Sequence, residues 1–457
     1  APERAERTTE VEALALNLQS VFTRMIALVP HLPDELRQAF DKWSNAEQRL
    51  SDLRNTFRGT RPLAYLSPKS KEALGTRMDK LGVNFPRLAV EALAERMTLS
   101  GLVVGEHSRV WDTFRHANGP ELAELVHTDR LAYGSAYVTV WATEDGTPTL
   151  TGDSPFTMTH KSDPATGDTL WAARRYTVTD DDHRLVLYTP EHITSYRARY
   201  TGAGPHGYRL HERIDNPLDA VPVTPFVRRS SLADPATGAP VVDDLVDLSD
   251  AVSKVLADAM VTSEYYARPR RWATGLEIEE DDNGRPIDPF GETRLLQSED
   301  PETEFGQLPG SRLDGYHDIL ATLTQQIGAL SGLPPHYLGL HGDQPASADG
   351  IRAAEAQLTA RAYAEQRRVT SEWSRVAWLL DAVTDGVPAI PSRLRAARVS
   401  WESPETSTPA MQADAAAKLR GIGVPLESVL VTHLGYDETE ASQVAALAAR
   451  YARKDDQ

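Results

Sequence analysis

Residues 313–331 read LDGYHDILATLTQQIGALS, and their apolar side chains recur three and four positions apart, the period of one face of an α-helix. A second stripe of this kind follows Pro240 and includes Leu245 and Ala259. We therefore predict two long amphipathic helices, over 241–267 and 312–331. Six apolar positions are expected to pack these helices: Leu248, Val252, Leu256, Leu320, Leu323 and Ile327.

The two helices flank an insertion, residues 268–311, that is rich in proline, glycine and acidic side chains. Strand-like pieces at 272–278 and 293–296 predict a hairpin there. After the second helix, Gly332 and two prolines introduce a segment, 332–347, of loop composition. Ser347 then offers a helix cap, and the helix that it starts meets no proline before Pro388. This third helix is predicted to end near residue 385.

The rest of the chain divides into a helical beginning, a β-rich middle and a helical end. Apolar spacing predicts helices at 11–28, 33–55, 87–97 and 120–133 within a helical lobe, 1–135. Residues 136–228 alternate like short strands, at 137–141, 171–176, 185–188 and 193–196, and prolines from 217 to 240 predict an extended connection. A strand at 397–401 precedes helices at 409–421, 426–433 and 437–453. The expected fold class is α+β, predominantly helical.

Composition limits the function classes. The 457 residues contain 48 Lys and Arg against 66 Asp and Glu, a net charge of −18, which argues against a protein that grips nucleic acid through many phosphate contacts. There is no cysteine, so a disulfide or a cysteine-containing zinc site is impossible. The charged first residues and the lack of 18 consecutive apolar residues predict neither a signal peptide nor a membrane span. Walker A, G-x-G-x-x-G, H-E-x-x-H and G-x-S-x-G motifs are missing, so we expect no enzyme and no cofactor.

The order of segments and three stretches of sequence resemble the portal, or head-to-tail connector, proteins of siphophages, especially phages of actinobacteria. The stretches are VTSEYYARPRRWATG at 261–275, GLPPHYLG at 332–339 and PASADGIRAAEA at 345–356. Weaker matches lie at 57–63, 127–138 and 216–218. The likeness covers about residues 50 to 440.

This resemblance implies a ring subunit with a wing, stem, clip and crown. The wing would be residues 1–240, the stem helices 241–267 and 312–331, the clip 268–311 and the tunnel loop 332–347. Residues 348–386 would form a long wing and crown helix, and 387–457 the crown.

The resemblance also implies function and partners. Such proteins form rings, usually of twelve copies, that conduct double-stranded DNA at a capsid vertex. Terminase, a head-completion adaptor, and the major capsid and scaffolding proteins would be partners, with assembly in the host cytoplasm and no membrane contact. A scaffold that never contains DNA, or a carboxylate-based hydrolase, are the alternatives.

Three groups of candidate site residues follow, each with a plainer interpretation. Clip residues that contact a neighbouring subunit or DNA are Arg268, Arg270, Arg271 and Trp272, although arginines also suit an ordinary helix terminus. The DNA-facing tunnel-loop residues are His336, Tyr337, His341 and Gln344, in what could equally be an inert connector. The adaptor-docking acids are Glu279, Glu280, Asp281 and Asp282, which otherwise form a hairpin tip; they lack the spacing of a calcium loop, and no metal site is expected.

Overall fold

A computed structural model describes residues 32–61, 83–105, 109–200, 204, 207–267, 271–275, 301–307, 314–340, 347–386, 397–406, 408–434, 436 and 438–455. Ten α-helices lie in these ranges: α1 Asp34–Arg58, α2 Phe85–Ala94, α3 Arg109–His116, α4 Gly119–Tyr133, α5 Val246–Ala267, α6 Asp314–Ser331, α7 Ala348–Asp385, α8 Pro409–Gly421, α9 Leu426–Leu434 and α10 Glu438–Asp455. Short 3-10 helices cover Val241–Leu245 and Pro335–Leu338.

The described strands are β1 Leu99–Val104, β2 Ser135–Ala142, β3 Pro148–Asp153, β4 Met158–Ser162, β5 Thr169–Thr179, β6 Asp182–Tyr188, β7 His192–Ala198, β8 Arg209–Asp215, β9 Val223–Val227, β10 Arg271–Thr274, β11 Glu304–Gln307 and β12 Ala397–Trp401. They form antiparallel sheets in the orders β4-β5-β6-β7-β8, β3-β2-β9, β1-β12 and β10-β11. The predicted α+β class with predominant helix is confirmed.

Helix α1 covers one face of the five-stranded sheet. Asp34 and Glu35 lie in its first turn, where their negative charges interact favourably with the positive end of the helix dipole. The helix ends at Gly59, whose φ of +66° is a conformation that glycine adopts easily. Its buried side chains, including Trp43, pack on sheet residues such as Trp171. The opposite face of this sheet packs on the three-stranded sheet. The 136–228 region is therefore a β-module, as predicted.

Strand β9 corrects part of the predicted connection at 217–240. Pro225 lies in this strand opposite Tyr137 of β2, and among the described strands β9 pairs with β2 alone. A proline has no amide hydrogen to give, but at a sheet edge that loss is tolerated. Pro225 therefore lies within the sheet and not in a connection that follows it.

The largest core surrounds α7, whose Trp373 is completely buried among side chains that include Phe114 and Phe226. Strand β1 borders this core and pairs with β12. The structure thereby adds strand β1 to the predicted helical lobe 1–135. The strand predicted at 397–401 is observed as β12, which packs against the same core. A strand whose partner lies about 300 residues away leaves little local trace in sequence.

The chain divides into two compact units, Ala1–Pro345 with Ala354–Glu402, and Ala346–Ala353 with Ser403–Gln457. In the smaller unit α8 packs on α9 and α9 packs on α10. Thr408 caps α8 by accepting a hydrogen bond from the Met411 amide at 3.4 Å. Val429 and Leu430 are the most hydrophobic of its buried side chains. The predicted helix at 11–28 lies outside the described residues.

Candidate functional site: the helix pair and its two connections

Helices α5 and α6 lie side by side and run in opposite directions, since the C-terminal part of α5 meets the start of α6. The hydroxyls of Thr262 and Tyr316 are 2.9 Å apart at this end, and the 3-10 helix Val241–Leu245 contacts α6 at the other. Val252 and Ile327 are buried in the largest core. The other four predicted packing residues are partly buried against that core: Leu248, Leu256, Leu320 and Leu323.

The helix pair also exposes apolar side chains, including Leu330 of the predicted stripe. Met260 of α5 is 40% exposed, and Ile319 and Leu330 of α6 are 50% and 48% exposed. Single exposed apolar side chains are common on protein surfaces, whereas a contiguous apolar patch marks an interface with another molecule.

The described part of the insertion is a two-stranded ribbon. Strand β10 pairs with β11, so the second strand of this pairing is at 304–307 and not at the predicted 293–296. Trp272 lies opposite Gly306, and a Cβ atom at Gly306 would approach the indole to 2.4 Å. The indole therefore rests against the backbone of β11 while remaining 40% exposed.

The other predicted residues of the insertion are placed only in part. Arg271 begins β10, and its side chain lies outside the described residues. Arg268 and Arg270, and the acidic group Glu279, Glu280, Asp281 and Asp282, also lie outside them, as do strand positions 293–296.

The start of the predicted tunnel loop is an ordered turn, which corrects the expectation of a loop throughout. Ser331 accepts a 3.2 Å hydrogen bond from the amide of Leu333, and residues Pro335–Leu338 then form a 3-10 helix. A Cβ atom at Gly328 would lie 2.8 Å from Leu338, so that leucine fills the space beside the glycine. Tyr337 and Leu338 pack against the largest core.

Polar contacts fasten this turn to α7. Arg96 forms a salt bridge with Glu355 at 3.2 Å, and its guanidinium donates to the Tyr337 hydroxyl at 3.5 Å. His336 lies 3.6 Å from the other carboxylate oxygen of Glu355. Glu355 is buried, whereas the His336 side chain is 34% exposed. His336 and Tyr337 thus hold the first part of the predicted tunnel loop against Arg96 and α7. His341 and Gln344 lie outside the described residues.

Sequence reasoning missed a cluster of buried charges beside this turn. Glu365 of α7 accepts from Arg130 at 2.7 Å and from Arg368 at 2.6 Å, and it forms a salt bridge with Arg228 at 3.1 Å. Burial by itself raises the pKa of Glu365, but the three guanidinium groups outweigh it and hold the pKa below its ordinary value. Arg130 and Glu365 are 235 residues apart, so no local pattern marks the pair.

The described ranges show neither a metal-binding group nor a membrane-spanning helix. Within these ranges no group of three or more His, Cys, Asp or Glu side chains could hold a metal ion. None of the helices in the described ranges combines the length and hydrophobicity of a membrane span.

Comparison with known proteins gives the family. The family model described as phage portal protein, SPP1 Gp6-like, matches residues 48–454. The portal proteins of Mycobacterium phage D29 and Mycobacterium phage L5 are each 28% identical to this chain over 414 residues, which is 83% of this chain and 82% of the relative. A solved structure, the neck of an empty GTA particle computed with C6 symmetry, aligns over 81% of this chain and 95% of the other with 17% identity and a TM-score of 0.46. Because the family match covers nearly nine-tenths of the sequence, this chain belongs to the SPP1 Gp6-like phage portal proteins.

Proposed function

We propose that the chain assembles into a closed ring of twelve copies at a capsid vertex, through which double-stranded DNA enters and leaves the capsid. The ring would dock terminase during packaging and a head-completion adaptor afterwards, and would contact the major capsid and scaffolding proteins. It carries no catalytic activity of its own, and assembly takes place in the host cytoplasm. Membership of the portal family supports this proposal.

The observation that carries the ring is the exposed apolar surface of the helix pair. Met260 and Ile319 face solvent in the isolated subunit although the opposite side of the pair is packed on the core. Removing such side chains from water favours association by roughly 25 cal/mol for each Å² buried. In a ring with cyclic symmetry the same surface meets a neighbour in every subunit, so each copy buries it.

The charge of the chain supports a channel in which DNA moves. With a net charge of −18, each copy repels phosphates overall, and any attraction is confined to local basic groups. A strongly basic lining would release counterions and hold the duplex tightly. An acidic ring keeps the duplex mobile.

Within this ring we propose roles for the three predicted site groups. The tunnel-loop segment approaches the duplex, with Tyr337 serving as its anchor and His336 as the more exposed member of the pair. The ribbon that carries Trp272 contacts a neighbouring subunit. The acidic group at 279–282 docks the adaptor, where its charge would make attachment sensitive to salt.

The test is the mass and shape of the purified protein. Twelve chains of 50.3 kDa give a particle of about 600 kDa, measurable by light scattering and visible as a ring in negative stain. Ile319→Asp places a charge in the proposed interface and is expected to leave folded single subunits, because burying an unpaired carboxylate costs several kcal/mol. Proheads assembled with this variant are expected to package no DNA.

The matched control is Leu232→Asp, since Leu232 is fully exposed in a loop outside the helix pair. This variant should form rings like the parent. Normal rings of Ile319→Asp would show that the helix pair does not join the subunits. A parent protein that stays monomeric with its capsid partners present would contradict the proposal that the chain forms a ring.

A further inference from the structure

A cavity of about 370 Å³ lies where α2, the 3-10 helix Val241–Leu245, the end of α6 and the middle of α7 meet. Leu93, Val241 and Leu245 form part of its apolar wall. Its charged lining consists of Arg228, Arg361, Arg368, Asp244 and Glu365. Gln357 and Arg368 are exposed, so the cavity opens to the surface. We call it the arginine cavity.

Positive charge in the arginine cavity exceeds negative charge. Glu365 already forms salt bridges with Arg130, Arg228 and Arg368. Arg130 is buried, and the side chain of Arg228 is 13% exposed. One carboxylate cannot neutralise three guanidinium groups. The lining itself carries three positive charges, of Arg228, Arg361 and Arg368, against two negative ones, of Glu365 and Asp244. Arg130 lies outside the lining but also draws on Glu365.

Arg361 is the least compensated charge of the lining. Among the described residues it makes no ion pair, although it is half-buried. Its side chain packs over Gly332, where a Cβ atom would lie 2.8 Å from Arg361 Nε, and the φ of +76° at that position also favours glycine. Burial lowers the pKa of Arg361, and Arg228 lowers it further while Asp244 opposes the shift. Packing holds this guanidinium in the cavity, where the charge of Asp244 acts on it without forming a salt bridge.

We propose that the arginine cavity is a carboxylate-binding site and that its occupant is an Asp or Glu side chain of a second copy of this chain. The proposal rests on the ring of the proposed function and adds a specific contact to it. Arginine suits this ligand because its planar fork can donate two parallel hydrogen bonds to a carboxylate.

Size and charge favour a side chain of another copy over other anions. A volume of about 370 Å³ admits one side chain but not a segment of duplex. Each copy carries 66 Asp and Glu side chains, so a neighbour in a ring presents many carboxylates. A ring would repeat the contact at every interface and neutralise one cavity in each subunit.

The test compares Arg361→Gln with Arg367→Gln, an exposed arginine on the same helix. In dissociated subunits Arg361→Gln should keep or raise the parent unfolding midpoint, because it removes an uncompensated charge. In rings it should weaken subunit association by at least about tenfold, and added NaCl should dissociate its rings with a shallower dependence than the parent. Arg367→Gln should match the parent in all three measurements.

Four results would overturn the proposal. Rings of Arg361→Gln as stable as those of the parent would show that no intersubunit contact depends on this side chain, while the ring of the proposed function would stand. A lower unfolding midpoint of the dissociated variant would make Arg361 a support for the Gly332 turn. Stabilisation of parent subunits, but not of the variant, by citrate or phosphate, together with equally stable rings of both proteins, would show that the site binds free anions. Stabilisation of parent subunits by DNA alone would show that the site binds phosphates of the genome.

Discussion

At the scale of single residues, two pairs of buried polar side chains lie in the core around α7. The indole nitrogen of Trp373 donates to His127 Nε2 at 2.8 Å, and both side chains are completely buried. Arg130, three residues after His127, is paired with Glu365 in the same way. Burial lowers the pKa of His127 to about 3, and the nearby Arg130 charge contributes to that shift. The imidazole is therefore neutral in the folded protein.

This histidine predicts a stability that falls in acid. Its pKa is about 3 when folded against an ordinary 6.5, so between these pH values the unfolded chain binds a proton that the folded chain does not. We expect its contribution to the free energy of unfolding to drop by up to about 1.4 kcal/mol per pH unit as pH falls through this window. His127→Gln, whose amide oxygen can still accept from Trp373, should show a shallower pH dependence in urea unfolding.

Comparison of variant and parent isolates the histidine from other buried groups. Asp129 acts in the opposite direction, since burial raises its pKa to about 6 and favours the folded state in acid, but it is present in both proteins. Equal slopes for the parent and His127→Gln between pH 6.5 and 4 would contradict the assignment of a neutral, buried His127.

At the scale of elements, two glycines let the end of α4 and the segment after β9 approach closely. Gly134 follows α4 with φ of +88°, and Gly238 has φ of +91°. A Cβ atom at Gly238 would lie 2.0 Å from the Gly134 carbonyl oxygen. The same carbonyl accepts from the Arg228 amide at 2.8 Å, so the backbone contact also fixes Arg228 beside Glu365.

Gly238→Ala is expected to destabilise the larger unit by roughly 2 to 5 kcal/mol in urea unfolding, from the left-handed backbone and the clash together. Gly146→Ala is the matched control. Gly146 has a φ of +85° but nothing within 4 Å of an added Cβ atom, so that variant should lose only about 1 to 2 kcal/mol. Equal losses at the two glycines would mean that the close approach contributes nothing.

Elements with strong periodicity could be predicted from sequence, and those that depend on distant partners could not. The predicted helices at 312–331 and 348–386 are observed as α6 and α7, since their apolar spacing and caps are local signals. Strand β1 was missed because β12, which completes it, is remote in the chain. For the same reason the sequence indicated His336 and Tyr337 but not Arg96 and Glu355, which hold them.

At the scale of the whole molecule, the two compact units differ in how they are stabilised. Among the described residues, the largest core and the side chains packed against it run from Ala46 to Trp401. Strand β12 closes this core: Trp401 donates to Thr370 at 3.1 Å, and the carbonyl of Glu402 accepts from Gln366 at 3.1 Å. The boundary between the units, at Glu402, thus coincides with the last contacts to that core.

Two truncations test this boundary. A chain that ends at Glu402 should keep the unfolding midpoint of the larger unit within about 4 °C, because the core remains complete. A chain that ends at Gly386 also lacks β12 and should unfold about 10 °C lower, because β1 loses its partner and the Trp401 contacts disappear. Similar midpoints for the two truncations, measured by circular dichroism, would show that β12 is dispensable.

The pairing of β1 with β12 has a consequence for synthesis of the protein. When β1 leaves the ribosome, about 300 residues remain to be translated before β12 follows. At roughly 5 to 20 residues per second, the nascent chain waits about 15 to 60 s with the edge of β1 and part of its apolar surroundings uncovered. We infer that the chain is most prone to aggregation during this interval, and that premature termination before Trp401 yields fragments in which the edge of β1 stays unpaired.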